Sequence, residues 1–72
     1  MVRLKIKEVA QEKGISMAKL SRMADISYNT AQAISHNPYH DISLYVLDRI
    51  AKALGVKVSD LIEEDDTAGR ET

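Results

Sequence analysis

Cysteine is absent from this 72-residue chain. That removes a disulfide framework, thiolate zinc sites and a cysteine nucleophile, and it makes an intracellular compartment the default expectation. No apolar run approaches the roughly 18 residues that a membrane span needs. Met1 to Lys7 alternates charge with hydrophobe, so it lacks the apolar core of a signal peptide. The expectation is a chain that starts as a mature cytosolic protein does, with no membrane partner. Glycine is scarce at three residues, two of them at expected helix ends, which leaves no phosphate-cradling glycine loop. Net charge is small too, a formal −1.

What is present describes one small globular domain. A chain this short buries only about 60% of the surface its unfolded form exposes, which leaves little room for a deep catalytic cleft. Apolar residues at 44% and charged residues at 29% are ordinary for a folded domain and too hydrophobic for a disordered segment. The near-zero net charge at first opposes a nucleic-acid partner, because Lys and Arg supply most nonspecific affinity for phosphate. It is a sum over two unlike parts. Residues 1–57 hold nine Lys and Arg against five acids, net +4, and residues 58–72 hold one against six, net −5. The expected organisation is a domain over residues 1–64 and a disordered acidic tail over 65–72, where nothing apolar recurs.

Val2, Leu4 and Ile6 alternate with Arg3, Lys5 and Lys7, the period-two signature of a short strand with a basic outer face. From about Ile6 the period lengthens. Ile6, Val9 and Ala10 form a helical stripe over about residues 6 to 13, closed by Gly14 in the place of an αL cap. Ser16 is an N-cap for a second helix over about 17 to 24, with Leu20, Met23 and Ala24 at helical spacing. Ser27 caps a third, from about Tyr28 to Ser35, with Ala31 and Ile34 inward. His36 to Asp41 is turn-rich, and Tyr39 to Ile42 is a candidate strand opposite Val2 to Ile6. Ser43 caps a fourth helix whose stripe is Leu44, Leu47, Ile50, Ala51 and Leu54, ended by Gly55. Ser59 and Asp60 start a last short helix anchored by Leu61 and Ile62. The fold class is therefore all-α, five short helices with a short N-terminal β-strand.

The link Asp25-Ile26-Ser27 is too short for an antiparallel pairing of helices two and three, so they must cross steeply, as in a helix-turn-helix. Leu20, Ala24, Ile26, Ala31 and Ile34 then share a core, and small residues at 21, 24 and 31 permit close approach. The residue at 25 should need positive φ, which Asp tolerates better than most.

Gly14-Ile15-Ser16, Leu20, Ala24-Asp25-Ile26-Ser27, Asn29-Thr30 and Ile34 are followed by the run from Leu47 to Val56 and by Asp60-Leu61-Ile62. In that order and spacing the chain resembles the Cro and lambda-repressor type of helix-turn-helix domain, the xenobiotic-response-element family, over about residues 4 to 63. Met1 to Lys7 with Asp41-Ile42-Ser43 resembles a subgroup with an N-terminal strand. The resemblance implies sequence-specific binding of double-stranded DNA by a transcriptional regulator, usually a repressor, with helix three in the major groove. A groove about 12 Å wide accepts one helix, whose N-terminal residues reach base edges. The base-reading candidates are Tyr28, Asn29, Gln32 and Ala33. The Asn29 and Gln32 amides can each pair bidentately with adenine, which points to an A·T-containing half-site. Phosphate candidates are Ser27 and Thr30 with Ser16 and Met17, where the N-terminus of helix two aims backbone N–H groups outward.

Departures from the family's pattern are specific. Met17 stands where members typically carry Gln, and Ser35-His36-Asn37 where they carry Glu-Asn-Gly. The following loop, usually rich in Lys and Arg, reads Pro38-Tyr39-His40-Asp41. Phosphate contacts there would come from His36, Asn37, Tyr39 and His40, the histidines being pH-sensitive donors around about 6.5. Tyr45 and Val46, placed on the outer side of helix four, are more apolar than the usual pair and offer either an extended DNA face or a protein-partner surface, as does the C-terminal helix.

Two functions compete. The first is a DNA-binding regulator, cytoplasmic and nucleoid-associated, acting as a homodimer through Val56, Val58, Leu61 and Ile62 or through the N-terminal strand edge. The second is a protein-interaction module or antitoxin-like subunit on the same fold, anchored by Met17, Tyr28, Tyr39 and Tyr45. Enzymatic activity is not expected, nor a cofactor or metal. His36 and His40 flank a proline in a loop and do not share a helical face, and Glu63 to Asp66 reads as a charge run at a solvated helix end.

Overall fold

Three serine hydroxyls set where the central helices begin. The side chains of Ser16, Ser27 and Ser43 accept from the backbone N–H three residues on, at Lys19 (3.1 Å), Thr30 (3.0 Å) and Val46 (3.1 Å). The structure, a computed structural model, describes residues 2–64. In chain order it runs β1 (Val2–Leu4), α1 (Ile6–Glu12), α2 (Met17–Ala24), α3 (Tyr28–His36), α4 (Leu44–Leu54), a 3-10 turn (Val58–Leu61) and β2 (Ile62–Glu64). The architecture is mostly helical, as the sequence predicts. Among the described residues there are four α-helices, and the expected fifth is the 3-10 turn, which starts at Val58. The Lys57 N–H donates to the Asp60 carboxylate at 3.0 Å, and the chain then extends into a strand. Glu63 and Glu64 therefore lie in a strand and not at a helix end. The expected tail over 65–72 lies outside the described residues.

β1 pairs antiparallel with β2, Val2 opposite Glu64, Arg3 opposite Glu63 and Leu4 opposite Ile62. The expected partner, Tyr39 to Ile42, forms no strand. Asn37 instead closes a turn on Tyr39 and His40, and the Leu4 N–H donates to the Pro38 carbonyl at 2.7 Å. β1 is thus tied to β2 along its length and to the loop at Leu4.

The core joins Leu4, Ile6, Val9 and Ala10 from the N-terminal part to Leu20, Ala24 and Ile34, and to Leu47, Ile50, Ala51 and Leu54 of α4. Leu61 closes it at 0% exposure. That burial corrects the idea that Leu61 belongs to a dimer surface; Val56, Val58 and Ile62 also pack against the core. Two other positions depart from the stripes. Met23 is exposed, and Ser21 takes the inward place with its hydroxyl satisfied by the Ala18 carbonyl at 2.7 Å. Leu44, the first residue of α4, lines an open groove with Val2, Tyr39 and Ile42 and is 79% exposed. Val46, one turn before Ile50, packs against the core and is not on the outer side.

Candidate nucleic-acid interface

The turn between α2 and α3 determines how α3 is presented. Ser21, Ala24 and Ala31 are buried, so small side chains let the two helices pack closely at the crossing. Asp25 adopts φ 57° and ψ 49°, and among the described residues it is the one non-glycine with positive φ. Its N–H donates to the Arg22 carbonyl at 3.3 Å and that of Ile26 to the Ser21 carbonyl at 2.9 Å, which closes α2 in a left-handed turn. Ser27 then caps α3, and its hydroxyl also donates to the Thr30 hydroxyl at 2.8 Å.

This arrangement gathers some of the expected contact residues and separates others. Tyr28 is half exposed and Asn29 exposed at the start of α3, while Gln32 and Ala33 are half-buried one turn on. The Gln32 carboxamide donates to the Tyr28 hydroxyl, so these two act as one polar unit on the helix surface. Ser16 is exposed at the start of α2. Met17 turns its side chain onto the core, so the start of α2 presents backbone N–H groups and not the thioether. Ser27 and Thr30 spend part of their hydrogen-bonding capacity on each other.

The loop residues form a separate group. Asn37 shapes a tight turn, its side-chain oxygen accepting from Tyr39 N–H and its carbonyl from His40 N–H, both at 3.0 Å. His36, Asn37 and Tyr39 are exposed and His40 is half-buried against the groove that also holds Leu44.

Charge placement differs from a simple basic face. The Arg3 guanidinium pairs with Glu8 at 2.6 Å and with Glu63 at 3.2 Å, tying β1 to α1 and β2. Two acids of the C-terminal excess thus have folded-state roles, Glu63 in this pair and Asp60 in capping.

Arg49 of α4 is the residue whose role the sequence did not disclose. Its Nε donates to the Ala24 carbonyl at 2.9 Å, and its Nη2 reaches the Asp25 carbonyl at 3.2 Å and the Asp25 carboxylate at 2.8 Å. Nη1 donates to the Tyr45 hydroxyl at 3.0 Å, and the guanidinium carbon lies 5.3 Å from the centre of that ring. Hydrogen bonds to Asp25 and Tyr45 hold the guanidinium more firmly protonated than usual. Tyr45 and Arg49 stand at i and i+4, so that pairing was open to sequence reasoning; the contact across 24 residues to Asp25 needed the helix crossing.

Similarity to known proteins agrees with this geometry. Residues 5–66 match the family model of the Cro/C1-type HTH DNA-binding domain. SinR, the master regulator for biofilm formation, solved in complex with DNA, superposes with a TM-score of 0.70 at 28% identity, over 75% of this chain and 86% of that one. A Bacteroides fragilis protein to which DNA binding has been assigned gives 0.78 at 30% identity, over 88% of this chain and all of that one. The SinR/SinI complex gives 0.71 at 25% identity, over 93% of this chain and 62% of that one. No curated protein matches the chain. With a family model that covers nearly its whole length and a helix-turn-helix at its centre, the chain belongs to the Cro/C1-type helix-turn-helix DNA-binding domains.

Proposed function

We propose that this protein is a sequence-specific regulator of transcription that binds double-stranded DNA with α3 in the major groove and acts as a repressor by occupying its site. The observation that carries the reading is the exposed start of α3, where Tyr28, Asn29 and Gln32 sit on a helix anchored by the Asp25 turn. Asn29 and Gln32 read an adenine-containing half-site, with Ala33 and the Tyr28 ring supplying apolar contact to thymine methyls. Backbone N–H groups at Ser16 and Met17, with Ser27 and Thr30, hold one phosphate strand, and His36, Asn37, Tyr39 and His40 the other. Few cations lie in that loop, so binding depends on hydrogen bonds more than on charge. The acidic segment after residue 64 further limits nonspecific association. Two copies reading a palindrome supply the affinity one module lacks. Such a protein works in the cytoplasm, on the nucleoid.

Selection of bound duplexes from a random pool tests this. A palindromic, A·T-containing consensus supports it, as does loss of sequence preference in the Asn29→Ala, Gln32→Ala double variant. Recovery of no motif from the parent chain overturns it.

A second reading is an interaction module without autonomous DNA binding. It draws on the exposed apolar side chains Val2, Tyr39, Leu44 and Tyr45. Absence of DNA binding even at low salt favours it.

A further inference from the structure

We propose that Arg49 is a positioning residue for DNA reading, which sets the angle at which α3 leaves α2 by holding the backbone carbonyls of Ala24 and Asp25; this rests on the DNA-reading function above. The direction of α3 is decided over three residues, because Asp25 ends α2 and Ser27 already caps α3. Within that link the torsions of Asp25 carry the reversal. The Ala24 carbonyl belongs to the peptide plane before Asp25 and the Asp25 carbonyl to the plane after it. Arg49 donates to both, at 2.9 and 3.2 Å, and to the Asp25 carboxylate at 2.8 Å. One planar group therefore restrains the two planes whose relative orientation is φ and ψ of Asp25.

The requirement for arginine follows from the geometry. Carbonyls at the end of α2 lack intrahelical partners, and a cation there complements the negative end of the helix dipole. A lysine ammonium supplies the charge, but it has no Nε–H and Nη2–H fork to span two carbonyls and a carboxylate together. Tyr45 completes the device. Its hydroxyl accepts from Nη1 at 3.0 Å and its ring lies against the guanidinium, so the clamp is held from the α4 side as well. This gives the exposed Tyr45 an intramolecular role. Arg49 acts through Tyr28, Asn29 and Gln32, which ride on α3, and not by touching a base itself.

The test uses the full chain and the duplex selected from the random pool, with unselected duplex as the nonspecific control, at a temperature where melting curves show each variant folded. The ratio of specific to nonspecific affinity is the readout, since a residue serving stability alone leaves it unchanged in folded protein. Arg49→Ala should lower that ratio by at least about ten-fold, comparable to losing one base-pair readout, with nonspecific binding retained. Arg49→Lys should fall between Arg49→Ala and the parent, and it decides the matter if Arg49→Ala does not fold. Asp25→Asn keeps the left-handed turn and the carbonyls of Ala24 and Asp25 but removes the charged acceptor, so its ratio should fall by clearly less than that of Arg49→Ala. Folded Arg49 variants with the parent ratio overturn the proposal, as does an Asp25→Asn loss equal to that of Arg49→Ala. A parent chain without sequence preference overturns the DNA-reading function and this role with it, whereas a preference that the Arg49 variants keep overturns this role alone.

Discussion

Gln32 donates a hydrogen bond from its carboxamide to the hydroxyl of Tyr28, one turn earlier on α3. The carboxamide has two N–H donors and one oxygen. The bond to Tyr28 uses one donor, and in the proposed DNA complex the other donor and the oxygen would pair with N7 and N6 of an adenine. On that reading Tyr28 orients the amide before DNA arrives. Gln32→Ala should cost about 1–3 kcal/mol of discrimination at one base pair. Tyr28→Phe keeps the ring and leaves the amide to be ordered on binding, at a cost of about 0.5–1.5 kcal/mol. Anisotropy titrations with the selected duplex and single-position variants measure both. Equal losses in the two variants would show that the Tyr28 hydroxyl contacts DNA itself.

Ser27 couples stability to presentation of the same helix. Its oxygen accepts from Thr30 N–H at 3.0 Å, satisfying one of the N–H groups that a helix start leaves unpaired. Ser27→Ala should destabilise the domain by about 1 kcal/mol. In a domain of this size that lowers the melting temperature by about 4–8 °C. Ser27→Asn keeps a capping side chain and should lose much less. A thermal melt of Ser27→Ala that coincides with the parent's rules out the cap as a stabilising element.

These contacts divide by what a sequence can disclose. The serine caps, the glycine ends of α1 and α4 and the positive φ at Asp25 are local, and each was legible from residue type and spacing. The helix-turn-helix followed from one short link between two short helices. Position within the tertiary packing was less legible. Leu44 and Leu61 both sit on apolar patterns, but one opens onto a groove and the other plugs the core. The strand partner of Val2–Leu4 lies some sixty residues away at Ile62–Glu64, and the acidic composition there masked its pairing with Arg3. Within the candidate interface, the exposed polar side chains of α3 were readable as a set. Their mutual bond and the reach of Arg49 to Asp25 depend on side-chain placement that periodicity does not specify.

Glu8 makes stability depend on acidity. Partial burial alone would raise its pKa, but the hydrogen bond from Arg3, its own backbone N–H and the charges of Arg3 and Lys7 outweigh this and hold it below the ordinary 4.5. A carboxyl with a lower pKa in the folded state contributes stability that is present above about pH 4.5 and is lost as pH falls through the folded value. Glu8→Gln should therefore destabilise the protein near neutral pH, by less than about 1 kcal/mol because the pair is partly exposed. The gap to the parent should close in acid. Urea midpoints on either side of pH 4.5 measure it. A gap that stays constant across that range means that the ionised pair with Arg3 does not supply the difference.

Leu61 and Leu44 give the sharpest contrast in stability. Leu61 is 0% exposed and lies where the 3-10 turn meets the core, and its carbonyl also accepts from Lys5 N–H at 2.7 Å. Truncation there removes buried methyl groups and leaves a cavity, so Leu61→Ala should cost about 2–5 kcal/mol. A 72-residue domain has only about 4–11 kcal/mol in total at the usual stability per residue, so this single change brings it close to unfolding. Leu44 is 79% exposed, and Leu44→Ala should stay within about 0.5 kcal/mol of the parent in dilute solution. Denaturant titrations at two protein concentrations check both values. A Leu44→Ala loss that grows with concentration would mean that a second copy covers the groove lined by Val2, Tyr39, Ile42 and Leu44, because a contact between molecules stabilises by mass action and one within the chain does not.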